Sequence, residues 1–423
     1  MASIRKRGNS YQITVSNGRD IYDNQILERV TWKPDPDKTE KQNQKALERF
    51  AMEFEDKVKN GKVPKGEKMT YKEYAKLWLA EYANKQMEQT SIERCESSLN
   101  GIIIPAIGHL KLTEIQPLHI TRLYNDLQEH GYTRNGVEKH YSTTTIRRIH
   151  QIISSSLNTA VYWQLIESNP CARVKPPKVE KTTDVRHFTL EQTQAFLDQL
   201  DKPYSVAHWG RTKANGEEST KHYKTKFIDL QYKVLFYLAI FGGFRRGELV
   251  ALIWDDIDFN NNSITISKSS ARTKDGIITK APKTFSSNRT VTLPLETMKL
   301  LKKHKAEQQR YKLSLGTYWK GTGHIFTQSD GKQMDISTPN KVFQKIIKIY
   351  NNTHEDKLPM ITLHGLRHTS ATLLIAQNID IKTVSHRLGH SEISTTLDIY
   401  AHALEKQDIN AANSLSELFQ KKA

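Results

Sequence analysis

Cysteine is almost absent from this 423-residue chain, which carries only Cys95 and Cys171. Two thiols support neither a disulfide framework nor a cysteine-built zinc site, and such usage fits a reducing compartment. Long hydrophobic runs are also missing. The most apolar stretch, Val234 to Phe241, is far shorter than the roughly 20 residues a membrane-spanning helix needs. No apolar segment follows the first basic residues, so a secretory signal is not expected. Acidic charge is the third shortage: 46 Asp and Glu face 63 Lys and Arg, a net charge of +17. These shortages argue against a stapled secreted scaffold and a membrane protein, and leave a soluble, intracellular chain. A basic excess spread along such a chain points to a polyanion, most simply nucleic acid. A soluble protein that is merely basic is the bland alternative.

The length exceeds one ordinary domain, and a hydrophobic fraction of 37% is enough for real cores. Residues 1–62 read as a small unit. Tyr11 to Val15 alternates like a half-buried strand, Asn17-Gly18 signals a hairpin, and Ile26 to Trp32 continues the strand pattern. Lys38 to Lys59 then places Ala46, Leu47, Phe50, Phe54 and Val58 along one helical stripe. With Arg5, Lys6, Arg7 and Arg19, the sheet could lie in a DNA groove; a solubilising appendage is the alternative.

A polar linker, Gly61 to Lys68, leads to a helical domain over residues 68–172. Thr70 and Glu73 form a capping box for a helix through Trp78 and Tyr82. Further helices are expected from Thr90 to Leu99, from Pro117 to Leu127 and from Thr143 to Trp163. Lys111, Arg147, Arg148 and His150 are candidate phosphate contacts there, although each could be a solvated surface group. Residues 173–186 contain Lys175-Pro-Pro-Lys178 and read as an extended basic linker able to follow a phosphate backbone, with Lys175 a further contact.

The last domain, 187–404, opens with a capping box at Thr189 and Gln192. Residues 204–226 look like a polar surface insertion with no evident role. Leu230 to Phe241 reads as a buried helix ended by Gly242-Gly243. Trp254 to Phe259, Ser263 to Ser267, Gly276 to Thr279 and Arg289 to Leu293 alternate like strands of one small sheet. Residues 405–423 form a tail with Ile409, Ala412, Leu415, Leu418 and Phe419 at helical spacing.

The chemistry concentrates between Ile361 and His402. His364 and Arg367 stand three apart on a helix, His390 follows a helix-ending Gly389, and Tyr400 lies beyond. Cleaving a phosphodiester without a metal needs a nucleophile, neutralisation of the phosphoryl oxygens, and a proton for the leaving oxygen. A phenol, guanidiniums and imidazoles supply these. The pairs His364/His368 and His386/His390 are also spaced for zinc, but acidic ligands nearby are sparse and the flanks are basic.

The order His-x-x-Arg, Gly-His, Tyr resembles the second catalytic block of the tyrosine recombinases, the family of phage and conjugative-transposon integrases. Gly243-Phe-Arg-Arg-Gly-Glu-Leu249 resembles their first arginine block, Gly-x-Arg-x-x-Glu-Leu, which selects Arg245, with Glu248 as its local partner. Gly242 stands where many relatives carry Thr. Ala281 to Val291 resembles the lysine hairpin, with Lys283 the match for the acid and Lys280 and Lys274 its competitors. Residues 107–120 look like the family's core-binding domain, and residues 1–62 are similar in layout to its arm-site-binding domain.

The resemblance implies a multidomain, mainly α fold with small β-sheets: a front β-meander plus helix, a helical core-binding bundle and a mixed α+β catalytic domain. It implies catalysis by Arg245, Lys283, His364, Arg367, His390 and the nucleophile Tyr400, with no metal or ATP. The expected partners are double-stranded DNA attachment sites and a homotetramer on DNA formed by exchanging the tail. A host bending protein or an excisionase would assist, and no membrane is involved. The setting is the bacterial cytoplasm, at the nucleoid. The alternatives are a type IB topoisomerase, which would relax supercoils without a defined site, and a catalytically inactive DNA-binding regulator. A metal-dependent nuclease would lose activity in EDTA.

Overall fold

The computed structural model describes residues 2–19, 22–59, 69–134, 137–179, 187–209, 221–281 and 288–389. Lys283, His390, Tyr400, residues 180–186 of the expected linker and the tail 405–423 lie outside them. The chain forms two compact units, Met1–Lys181 and Thr182–Ala423. It is a mainly helical multidomain protein with a front three-stranded antiparallel sheet, a helical bundle and a mixed α and β portion.

In the first unit, β1 (Ser3–Arg7), β2 (Ser10–Arg19) and β3 (Gln25–Trp32) pair in that order, and α1 (Glu40–Lys59) covers one face. Period two turns Tyr11, Ile13, Val30 and Trp32 toward Leu47, Ala51 and Phe54 of α1. The opposite face carries the cross-strand row Arg5, Gln12, Thr31, and beside it the row Ser3, Thr14, Arg29. The expected basic cluster is therefore divided. Arg5 and Arg7 share the open face, whereas Lys6 turns to the helix side, its ammonium 6.0 Å from the centre of the Tyr11 ring. Arg19, past a register shift in β2, pairs with Asp23 at 2.8 Å. Neighbouring strand residues point to opposite faces, so a run of three basic residues cannot line one surface.

The helical portion begins at the expected capping box: Thr70 Oγ1 accepts the Glu73 amide at 3.3 Å, and the Thr70 amide donates to Glu73 Oε2 at 2.9 Å. Helix α2 (Tyr71–Trp78) continues through a π turn, Leu79–Ala83, into α3 (Asn84–Gln86). Helix α4 (Gln89–Ser98) likewise passes through a π turn, Leu99–Ile103, into α5 (Ile104–Ile107). The second helix thus runs past Leu99, where it was expected to end. Pro105 falls in the first turn of α5, directly after the π turn. Helices α6 (Pro117–Glu129) and α7 (Thr143–Tyr162) follow. Between them, β4 (Tyr132–Arg134) pairs with β5 (Val137–Lys139), so this region is not purely helical. Its core holds Tyr71, Tyr74, Trp78, Leu99, Ile120 and Leu157, together with both cysteines. The polar atoms carried inside are partnered: Tyr71 Oη meets Ser156 Oγ at 2.9 Å and the Trp78 indole donates to Thr159 Oγ1 at 3.1 Å.

The second unit starts with α8 (Leu190–Gln199), capped by Thr189 and Gln192. The insertion contains a hairpin of β6 (Tyr204–Trp209) and β7 (Lys221–Lys226). Helix α9 (Leu230–Phe241) is buried along most of its length and leads to α10 (Arg246–Ala251). Five short strands follow: β8 (Ile257–Asp258), β9 (Ser263–Ile266), β10 (Ser269–Thr273), β11 (Gly276–Lys280) and β12 (Arg289–Thr292). They make two sheets rather than the expected one, β12-β9-β8 and the separate ladder β10-β11. Trp254–Asp256, read as strand, is a 3-10 turn in which Asp256 Oδ2 accepts the Ile253 amide at 2.9 Å. The long helices α11 (Leu295–Leu315), α12 (Thr338–Thr353), α13 (Leu363–Ala376) and α14 (Ile381–Leu388) complete the unit. Phe188, Phe196, Phe236 and Phe343 interlock at its centre, and the Phe188 amide donates to Thr369 Oγ1 on α13 at 3.0 Å.

Candidate active site

Helix α9 stops at Gly242, and Gly243 turns the chain at φ +64°, a conformation that favours glycine. A side chain there would also meet Leu388 of α14, since an added Cβ would lie 2.6 Å from Leu388 Cδ2. This turn delivers Arg245 to the N-cap of α10. Its amide donates to Glu248 Oε2 at 2.8 Å, its Nη1 to Glu248 Oε1 at 2.9 Å, and its Nη2 to the Gly389 carbonyl at 2.8 Å. Arg367 approaches from α13, almost wholly buried, and its Nη1 donates to the Gly243 carbonyl at 2.8 Å. The two arginines selected in the sequence thus meet at one turn although 122 positions separate them.

Glu248 is buried, and a second cation shares it. Arg289, at the start of β12, donates from Nη2 to Glu248 Oε2 at 2.8 Å and from Nη1 to Glu248 Oε1 at 3.2 Å. Burial alone would raise the Glu248 pKa, but the Arg289 bonds and charge, followed by those of Arg245, hold it below the ordinary glutamate value of 4.5. The carboxylate therefore stays ionised between two guanidiniums. Arg289 was not singled out as functional in the sequence. The available signal was its register: Val291 and Leu293 face the core, and period two puts Arg289 on that same buried side, where a carboxylate partner is required.

Helix α14 ends at Gly389, φ +67°, with Leu388 packed against Ala371 and Ile375 of α13. Arg289 Nε donates to the Arg387 carbonyl at 2.7 Å, while Arg387 Nη2 donates to the carbonyls of Phe241 and Thr292 at 2.7 and 3.0 Å. These bonds fasten the end of α14 to α9 and β12.

His364 lies one turn before Arg367 on α13 and reaches solvent. Partial desolvation, then the charges of Arg367, Arg245 and Arg246, lower its pKa from 6.5, with Glu248 opposing. A neutral imidazole at physiological pH can accept a proton. His368 stands edge-to-face with it, ring centroids 4.8 Å apart, and desolvation with the neighbouring His364, Arg367 and His187 lowers its pKa to about 4. Among the described residues, no group of three or more His, Cys, Asp or Glu side chains is arranged to hold a metal ion.

The lysines separate by position. Lys283 falls in the connection between β11 and β12, outside the described residues. Lys280 ends β11 opposite Ser269, whereas Lys274 sits in the turn at the far end of the β10-β11 ladder, about 17 Å away along the strand. The Lys280 end is the one near the arginine block. An added Cβ at Gly247 would lie 2.6 Å from both Ser269 Oγ and the Ser270 carbonyl, so β10 runs directly over α10 there. Of the candidates in the helical portion, Arg147 and Arg148 are exposed on α7, and Arg148 lines a groove of about 580 Å³ with Arg94, Trp78 and Gln151. Lys111 is exposed and paired with Glu114 at 2.8 Å, and Lys175 is exposed. His150 is half-buried on α7, and its Nδ1 meets the Tyr124 hydroxyl at 2.8 Å.

Two family models match the chain: "Phage integrase family" over residues 212–407 and "Phage integrase, N-terminal SAM-like domain" over residues 70–128. A tyrosine recombinase XerC-like protein of Caldanaerobacter subterraneus is 28% identical, covering 97% of this chain and 96% of that protein. The ICEBs1 integrase of Bacillus subtilis is 26% identical over 68% of this chain and 69% of its own length. The transposase from transposon Tn916 of Enterococcus faecalis is 27% identical over 63% and 60%. Among solved structures, the Tn1549 transposon integrase in complex with transposon right end DNA superposes with a TM-score of 0.61 at 21% identity, covering 82% of this chain and 100% of that one. A lambda integrase dimer bound to a core site gives 0.51 at 16% identity, covering 78% and 95%. These likenesses establish the fold.

Proposed function

The chain belongs to the phage integrase family, the tyrosine recombinases, and on that premise we propose how its residues divide the work. It is a site-specific recombinase of mobile elements, an enzyme that cleaves and religates DNA. In the proposed reaction Tyr400 Oη attacks the scissile phosphorus and His364 takes the phenolic proton. Arg245 and Arg367 neutralise the non-bridging oxygens, and His390 donates a hydrogen bond to the same phosphate. The leaving 5′-oxygen takes a proton from Lys283, with Lys280 the alternative. The product is a 3′-phosphotyrosine and a free 5′-hydroxyl. A 5′-hydroxyl from another strand reverses the step, returning the proton through His364. The phosphotyrosine conserves the bond energy, so the cycle needs neither ATP nor a metal, in keeping with a family that generally uses no cofactor.

Residues 1–62 would bind arm-type DNA through the face bearing Arg5, Arg7 and Arg29. Residues 68–172 would clasp the core site, with Arg147 and Arg148 at phosphates, and the basic segment 173–186 would join them to the catalytic domain, 187–404. The tail, 405–423, would dock on a neighbouring protomer within a tetramer on two duplexes, helped by a bending protein or an excisionase. A chromosomal substrate places this work in the bacterial cytoplasm.

One observation carries the chemical assignment: Arg245 and Arg367, far apart in sequence, converge on the Gly243 turn. The test uses plasmids bearing the joined ends of the element and its target, incubated with the protein in EDTA. Recombinants confined to those sites are expected. Processive relaxation of a plasmid lacking them would favour a topoisomerase, and tight binding without strand exchange would favour a regulator.

A further inference from the structure

We propose that Arg289 is a positioning residue for strand cleavage: it holds both supports on which the Arg245 guanidinium rests. The inference depends on the recombinase reading above. Among the described residues, Arg245 has two side-chain anchors, Glu248 Oε1 and the Gly389 carbonyl, at 2.9 and 2.8 Å. Arg289 fixes the first from behind, gripping both oxygens of Glu248 at 2.8 and 3.2 Å. It fixes the second through the Arg387 carbonyl at 2.7 Å, two residues before Gly389. It also lies close under Gly389, where an added Cβ would fall 2.9 Å from Arg289 Nη1.

The Arg289 side chain is 0% exposed, whereas that of Arg245 is 35% exposed. The buried cation therefore faces protein, and the open one faces the place where a phosphate would sit. Among the described residues, each Arg245 Nη retains a second N–H beyond its protein bond, and Nε a third, so a substrate oxygen can still be met. The aim of those protons depends on the carboxylate and carbonyl behind them. Only a planar fork can take two carboxylate oxygens and a carbonyl on three separate nitrogens, so lysine cannot replace Arg289 here. From the start of β12, the same side chain ties the first arginine block to the end of α14.

The test compares single-turnover cleavage by the full-length protein on two nicked substrates. One has an ordinary scissile phosphate, and the other a methylphosphonate lacking the negative charge that Arg245 neutralises. Arg289→Lys should cleave the phosphate roughly 100-fold more slowly, the scale of a misplaced catalytic group, with site affinity changed by less than about 3-fold. Its deficit should shrink at least about tenfold on the methylphosphonate, as should that of Arg245→Ala, because the lost service is charge stabilisation. A fold defect alone would lower both rates by one factor, and that outcome overturns the proposal. Wild-type cleavage by Arg289→Lys does so as well.

The double variant Arg289→Met/Glu248→Gln removes both buried charges and guards against misfolding. It should melt near the wild type yet remain slow on the phosphate with the same rescue; full activity would count against the proposal. Wild-type adducts persisting in Tyr400→Phe would refute the nucleophile assignment instead, and would leave the two-substrate comparison intact.

Discussion

Glu248→Gln is the perturbation whose cost follows most directly from the geometry. The substitution preserves volume but removes a carboxylate that bonds to both Arg245 and Arg289. One carboxylate oxygen becomes an N–H donor facing guanidinium donors, and Arg289, wholly buried, loses its counter-charge. Removing one partner of a buried pair costs about 3–5 kcal/mol, and glutamine retains one acceptor, so a loss of about 3 kcal/mol is expected. For a unit of this size each kcal/mol moves the melting temperature by about 2–4 °C, giving a fall of roughly 6–12 °C at pH 7. Thermal unfolding followed by circular dichroism reads this directly. The difference should depend on pH in one direction. With its pKa below 4.5 in the folded state, Glu248 contributes its full stabilisation above 4.5, and the contribution fades as pH falls through the folded value. Wild type and variant should therefore converge in acid. A fall of less than about 2 °C at pH 7, or a gap that widens in acid, would refute the ion-pair argument.

Three further outcomes are expected. His364 must be neutral to accept the tyrosine proton, so the acidic limb of the cleavage profile should lie below pH 6.5; Arg246→Ala removes one positive neighbour and should move that limb upward. Gly389→Ala places a side chain at φ +67° and against Arg289, and should cost about 1–3 kcal/mol in thermal unfolding while slowing cleavage; a neutral substitution would contradict the described turn. Arg29→Ala should weaken arm-type DNA binding about 10- to 100-fold in a salt-controlled titration, with Lys6→Ala changing it by less than about 3-fold; the reverse order would show that the sheet presents its other face.

Local signals in the chain foretold local structure well. The capping boxes at Thr70 and Thr189 open their helices, Gly389 closes α14, and Leu230–Phe241 buries Val234, Leu235, Phe236, Leu238, Ala239 and Ile240, as its largely apolar sequence implies. The sequence is less legible where a distant partner or register decides. The helix expected to end at Leu99 continues instead, because a π turn carries the chain past Gly101 into α5. Lys6 sits among arginines in the sequence, but the pleat turns it toward α1. His150 is held by Tyr124, a contact made across two helices. Arg245 and Arg367 were legible because motif order marks them, whereas Arg289 acts through Glu248 and the end of α14, which only the fold brings near.

The central claim is that a tyrosine near the end of the chain becomes joined to DNA without a metal. The most direct measurement traps the protein in EDTA on a duplex nicked beside the cleavage point, digests the adduct and maps the DNA-linked peptide by mass spectrometry. A 3′-phosphate joined to Tyr400 is expected, with no adduct from Tyr400→Phe. An adduct that maps to another residue, or that persists in Tyr400→Phe, would contradict it.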